Sequence, residues 1–213
     1  MTAYIYLHGF ASSPKSSKAQ YLGDRLRGEK NIDLNILDLN QGDFSNLTLS
    51  RQIAQTIAAF PDSNEPIILI GSSFGALTCA WVAQKSDRVK KIVLLAPAFG
   101  FPQSWYSRLG AQQIQQWQES GVLPVYHYGM GKQVPLKYEF LQDARKYPLA
   151  ELKRSLPTLI IHGVNDDVVP IQVSRDYAKQ HSQVKAIELD SDHGLNDAHA
   201  RIWQEIQEFL FED

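Results

Sequence analysis

Cysteine is nearly absent from this chain: Cys79 stands alone. A single thiol cannot form an internal disulfide, and a reducing, cytoplasmic setting is expected. Long apolar runs are missing as well, since no stretch approaches the roughly 20 apolar residues needed to cross a bilayer. Met1 to Gly9 lacks a charged segment followed by a long apolar one, so it reads as a strand and not as a signal peptide. Nor is there an excess of one charge. Lys and Arg number 21 against 23 Asp and Glu, interspersed, for a net charge of −2, which excludes a basic face for nucleic acid or an anionic membrane. Two glycine-containing loops lack the Gly-x-Gly-x-x-Gly pattern, and no Lys-Ser or Lys-Thr follows Gly75, so neither cradles a nucleotide phosphate. Internal repeats and low-complexity tracts are also missing. These absences leave a small-molecule partner and no cofactor.

What is present is apolar material in a regular rhythm. With 213 residues, 44% of them hydrophobic, the chain can bury one sizeable core, and a single domain over 1–213 is expected. Short apolar, β-branched runs recur at Tyr4 to Leu7, Ile32 to Leu39, Pro66 to Ile70, Lys90 to Leu95, Leu159 to Ile161 and Lys185 to Leu189. At Tyr4, Pro66, Ile92 and Leu159 the apolarity is continuous and not alternating, which suggests strands covered on both faces; with the other runs it predicts about six strands in a mostly parallel sheet. Helical periodicity fills the gaps over Ser16 to Arg27, Leu49 to Phe60, Phe74 to Lys85, Ile171 to Gln180 and Asp197 to Phe211. The fold class is α/β. Cys79 falls on the third of these helices and reads as a packing residue.

One interval breaks the rhythm. About sixty residues separate the strands ending near Ala96 and starting at Leu159, far more than an ordinary crossover needs. The interval is rich in aromatics, and an insertion over about 99–147 is expected to form a lid or cap at the strand ends, where α/β sheets meet their ligands. Phe99, Trp105 and Tyr126 are its candidates for lining a substrate. The alternative is an elaborated crossover whose aromatics fill a small core of their own.

The chemistry centres on Gly71-Ser72-Ser73-Phe74-Gly75, which follows an apolar strand and precedes a helix. That order is the nucleophile-elbow pattern, in which a sharp turn leaves no room for side chains two positions either side of the serine. By composition alone the bare pattern arises by accident in roughly one chain of ten this size, so its position after a buried strand carries the weight. A serine hydroxyl needs a base, and the base needs a carboxylate to fix its tautomer. His193 occupies the loop after the last strand, and Asp166 or Asp167 follows the strand at Leu159 to Ile161. Either aspartate could instead cap the helix near Ile171. Backbone amides of Phe74 and of Phe10 or Ala11 are the candidate donors to an oxyanion, with Gly9 allowing close approach and His8 buttressing the loop. Asn196 or Asp197 is expected to cap the last helix. His193, Asp197 and His199 lack a spacing that commits to any metal.

Taken together, these motifs resemble the α/β-hydrolase superfamily. The opening His8-Gly9-Phe10 with Ser12-Ser13-Pro14-Lys15-Ser16 is similar to that of the small bacterial esterases called YqiA-like. His162-Gly163-Val164-Asn165-Asp166-Asp167-Val168-Val169-Pro170 is similar to the superfamily's His-Gly-x-x-Asp-x-x-Val-Pro pattern, whose first aspartate is the acid. The resemblance therefore implies an α/β-hydrolase fold, Asp166 as the acid, and a serine hydrolase acting on a small carboxylic ester through an acyl-enzyme. A thioester or another acyl bond would use the same residues, and a binding protein without turnover could keep the fold. The aromatic insertion is longer than in a minimal YqiA-like esterase, and Phe74 fills a slot that is often Met, Leu or Gln, so substrate preference does not carry over.

Overall fold

The fold is described from a computed structural model covering residues 2–212. Six strands form the main sheet: β1 (Ala3–Leu7), β2 (Leu34–Leu37), β3 (Ile67–Ser72), β4 (Val89–Leu95), β7 (Thr158–Gly163) and β8 (Val184–Leu189). Their order is β2-β1-β3-β4-β7-β8, and every pairing is parallel. The apolar runs in β3 and β7 are buried at every position, as strands covered on both faces must be. Side chains alternate between two layers. Ile5, Leu7, Leu69 and Leu94 pack toward α2 (Leu49–Ala58) and α3 (Phe74–Lys85), while Tyr6, Ile70, Val93 and Ile161 pack toward α1 (Ser17–Lys30) and α7 (His199–Phe211). The helix α6 (Gln172–Gln180) connects β7 to β8.

Chain order sets the position of the site. From β1 the chain moves outward to β2, then returns to place β3 on the other side of β1. The carboxyl ends of β1 and β3 thus flank the point where the winding reverses, and open α/β sheets bind their ligands at such a point. Backbone strain collects at the same end. Ala11, Ser73, Ala96 and Leu195 all have positive φ, a region non-glycine residues rarely occupy, and all four lie just beyond strand carboxyl ends.

Between β4 and β7 the chain builds α4 (Gln103–Ser120), an antiparallel hairpin of β5 (Val122–His127) and β6 (Lys132–Lys137), and α5 (Glu139–Ala144). Helix α4 is broken at Gly110, where φ is 76° and ψ 161°. Trp117, Leu136 and Phe140 are buried, with the Trp117 indole N–H donating to the Leu136 carbonyl at 2.9 Å. Polar ties fix the segment to the body. The Asp143 carboxylate accepts the Ser50 amide N–H at 2.8 Å and the Ser50 hydroxyl at 2.6 Å. At the hairpin tip, the Gly129 amide donates to the Ala11 carbonyl at 3.4 Å. Among the described residues, no helix is long and apolar enough to cross a membrane.

Candidate active site

Ser73 takes φ 54° and ψ −114° between β3 and α3. The flanking glycines are required by contact. A Cβ on Gly75 would lie 2.2 Å from the Leu7 carbonyl oxygen, and one on Gly71 would lie 2.6 Å from both the Cys79 sulfur and the Gly75 carbonyl oxygen. The turn is closed by the Ser73 amide donating to the Leu95 carbonyl at 2.8 Å. Gly9 is less constrained than expected, since a Cβ there would make an ordinary 3.4 Å contact with the Ser73 Cβ.

The structure brings three of the sequence-predicted side chains together. His193 Nε2 lies 3.0 Å from Ser73 Oγ, and His193 Nδ1 lies 2.7 Å from Asp166 Oδ2. Because a carboxylate only accepts, Nδ1 carries the proton and Nε2 is left to accept from the serine hydroxyl. Asp167 is exposed, so of the two aspartates it is Asp166 that reaches the imidazole. The Asp166 carboxylate has no exposed surface. Its second oxygen accepts the amide N–H groups of Val168 and Val169 at 2.9 and 2.7 Å. Burial alone pushes the Asp166 carboxyl up, but hydrogen bonds from His162, His193 and the Val169 amide outweigh it and hold the group well below the usual carboxylate range.

His162 is a residue that sequence reasoning left without a role. It is 1% exposed, with Nε2 placed 3.0 Å from both Asp166 Oδ2 and the Val169 carbonyl. Flanked by two acceptors, Nε2 must donate, and Nδ1 then accepts from the Ser174 hydroxyl at 2.7 Å. The signal was present in the His-Gly-x-x-Asp spacing, which returns the aspartate over the histidine four positions before it.

The loop carrying His193 is held from α1. The Lys18 ammonium donates to the Gly194 carbonyl, and the Ser17 hydroxyl donates to Asn196 Oδ1 at 3.0 Å. Burial pushes the Lys18 ammonium below its usual range. Asn196 and Asp197 do not cap the last helix as expected. Ala198 occupies the cap without a side-chain bond, because Asn196 is engaged by Ser17 and Asp197 accepts the Ser191 hydroxyl.

The amides of Phe10 and Ala11 have no acceptor among the described residues. Phe74 opens α3, so its N–H belongs to the first turn, whose donors lack intrahelical partners. His8 is buried and buttresses the loop as expected: its Nε2 accepts the Leu39 amide at 3.1 Å and its Nδ1 donates to the Gly9 carbonyl at 2.9 Å. Burial pushes the His8 imidazole below its usual range.

Ser73 and His193 open onto a cavity of about 500 Å³, within the size range of small-molecule sites. Phe10, Phe74, Phe101, Trp105 and Phe140 form its aromatic wall, and Tyr126 and Tyr128 are on its rim. Of the three aromatics expected to meet a substrate, Trp105 and Tyr126 line this cavity. Phe99 does not. Its ring packs on Tyr177 at 4.4 Å and faces a neighbouring depression lined by Tyr106, Arg145 and Tyr147, because the turn after β4 directs it toward α6.

Est1E from Butyrivibrio proteoclasticus, solved with ferulic acid bound, superposes with a TM-score of 0.84 at 21% identity over 100% of this chain and 89% of its own. Mouse alpha/beta hydrolase domain-containing protein 10 gives 0.77 at 20% identity over 96% and 88%. The Paleococcus ferrophilus monoacylglycerol lipase gives 0.71 at 14% identity over 95% and 93%. These likenesses establish the α/β-hydrolase fold. Among curated protein sequences none matches the chain. The model of one sequence family covers residues 3–210, and the chain accordingly belongs to the uncharacterised protein family UPF0227.

Proposed function

We propose that the protein is a serine hydrolase that cleaves a small carboxylic ester through an acyl-enzyme. The observation that carries this reading is the chain of hydrogen bonds from Ser73 Oγ through His193 to buried Asp166, opening on an apolar cavity. His193 Nε2 takes the hydroxyl proton as Ser73 Oγ attacks the scissile carbonyl, and the imidazolium then gives that proton to the departing alcohol. Asp166 stabilises the imidazolium and keeps Nδ1 protonated. The amides of Phe74 and of Phe10 or Ala11 receive the tetrahedral oxyanion, each donor being worth about 10²- to 10³-fold in rate. Water activated by His193 releases the acyl group and restores Ser73.

The cap reading of residues 99–147 belongs to the same proposal: Trp105 and Tyr126 close over an apolar acyl or alcohol group. Relatives of this fold support acyl-ester chemistry, one having ferulic acid bound and another being a monoacylglycerol lipase. A reducing cytoplasmic setting fits the single buried thiol of Cys79. Steady-state hydrolysis of para-nitrophenyl butyrate tests the proposal. Ser73→Ala is expected to lower kcat by about 10⁵- to 10⁶-fold, and full activity in that variant would refute it.

A further inference from the structure

The cavity that opens on Ser73 has an uneven charge. Its lining includes no aspartate or glutamate, and apart from the titratable His193 the one charged side chain on it is Arg108. Arg108 is also the exception among the arginines. Every other one has a partner: Arg25 pairs with Glu29, Arg27 with Asp33, Arg175 with Glu188 and Arg201 with Glu205, Arg145 donates to the Tyr106 hydroxyl, and Arg51, Arg88 and Arg154 donate to backbone carbonyls. Among the described residues, Arg108 has neither an ion pair nor a hydrogen bond.

Arg108 is exposed, two residues before the break in α4 at Gly110. The same lining includes Gln113, Tyr126 and Tyr128, the two tyrosines being 46% and 78% exposed. The rings of Phe74, Phe101 and Phe140, also on the lining, are buried. A ligand filling this space meets Ser73, a wall of apolar rings and the exposed Arg108 cation.

We infer that the substrate is an anionic ester, in which an apolar stretch separates the scissile carbonyl from a carboxylate or similar anion that Arg108 receives. The planar guanidinium suits such a group because it donates two parallel hydrogen bonds to it. Leaving the anion at the exposed mouth avoids the desolvation that a buried charge would suffer. The inference rests on Ser73 being the nucleophile.

Two matched ester pairs test it. On the acyl side, the mono-para-nitrophenyl ester of adipic acid is compared with para-nitrophenyl hexanoate; on the alcohol side, para-carboxyphenyl hexanoate is compared with phenyl hexanoate. The wild-type protein is expected to favour the anionic member of one pair by about tenfold in kcat/KM, with the pair identifying the side that carries the charge. Arg108→Ala is expected to abolish that preference and Arg108→Glu to reverse it. Arg27→Ala, which removes a cation outside the cavity wall, leaves the preference in place. Raising the salt concentration shrinks it in the wild type, as an exposed ion pair requires. Equal kcat/KM within both pairs, or a preference that survives Arg108→Ala, overturns the inference while Ser73-dependent hydrolysis of the neutral esters continues. Hydrolysis that persists unchanged in Ser73→Ala overturns the nucleophile reading too, and so the two failures are distinguishable.

Discussion

The loops at the strand ends and the segment between β4 and β7 line the same cavity but are built differently. Ser73, Asp166 and His193 stand on short turns fixed by the backbone. A methyl group at Gly75 would strike the Leu7 carbonyl, and the Asp166 carboxylate accepts two amides and two imidazoles. Trp105, Arg108 and Tyr126 stand on α4 and the hairpin and line the cavity from that side. In the proposed reading, reactivity is therefore specified by backbone closeness, which tolerates little substitution. In the same reading, recognition is specified by residues of the segment between β4 and β7.

Substitutions on the two sides should separate accordingly. The largest effect after loss of Ser73 itself is expected at the acid: Asp166→Asn should lower kcat by about 10⁴-fold, because the imidazole tautomer is no longer fixed. Asp167→Asn, on an exposed side chain, should leave kcat within about twofold. Comparable losses in the two variants would break the assignment of the acid. His162→Phe removes one donor to Asp166 while filling the buried space, and a drop of about 10- to 100-fold in kcat with little change in KM is expected. A change confined to stability would make His162 a packing residue only.

On the recognition side, Trp105→Ala should raise KM for an apolar ester by about tenfold and leave kcat nearly unchanged. If kcat fell in parallel, the contrast between the two regions would be lost. The smallest effect concerns stability. Burial holds the His8 and His127 imidazoles below their usual value of 6.5 in the folded state. As the pH falls below that value the unfolded chain takes up protons that the fold refuses, so stability present at neutral pH is lost on acidification. Thermal melting followed between about pH 7 and pH 5 should show a falling Tm, with a shallower fall in His127→Gln.

Much of the framework was legible in the sequence because its causes are local. Strands buried on both faces must be apolar at every position, which made the runs at Ile67 and Leu159 readable, and the elbow glycines announce contacts that admit no side chain. Ser73, Asp166 and His193 follow one another in the order that strand-end loops impose. Other features depend on which surface a residue meets after folding. Phe99 and Trp105 are both aromatics of the same segment, yet one turns to Tyr177 and the other to the cavity. Asn196 and Asp197 looked like caps, but Ser17, 179 residues away from Asn196, claims the first and Ser191 the second. The β5–β6 hairpin and α5 lay within an interval whose length was clear but whose internal pairing was not.

The central claim is that Ser73, and not Ser72 beside it, is a nucleophile activated by His193. Treating the folded protein with a fluorophosphonate at neutral pH, then locating the adduct by peptide mass spectrometry, tests it most directly. A single adduct on Ser73 that is lost in His193→Ala is the predicted result; an unmodified Ser73, or equal labelling when His193 is replaced, would contradict it.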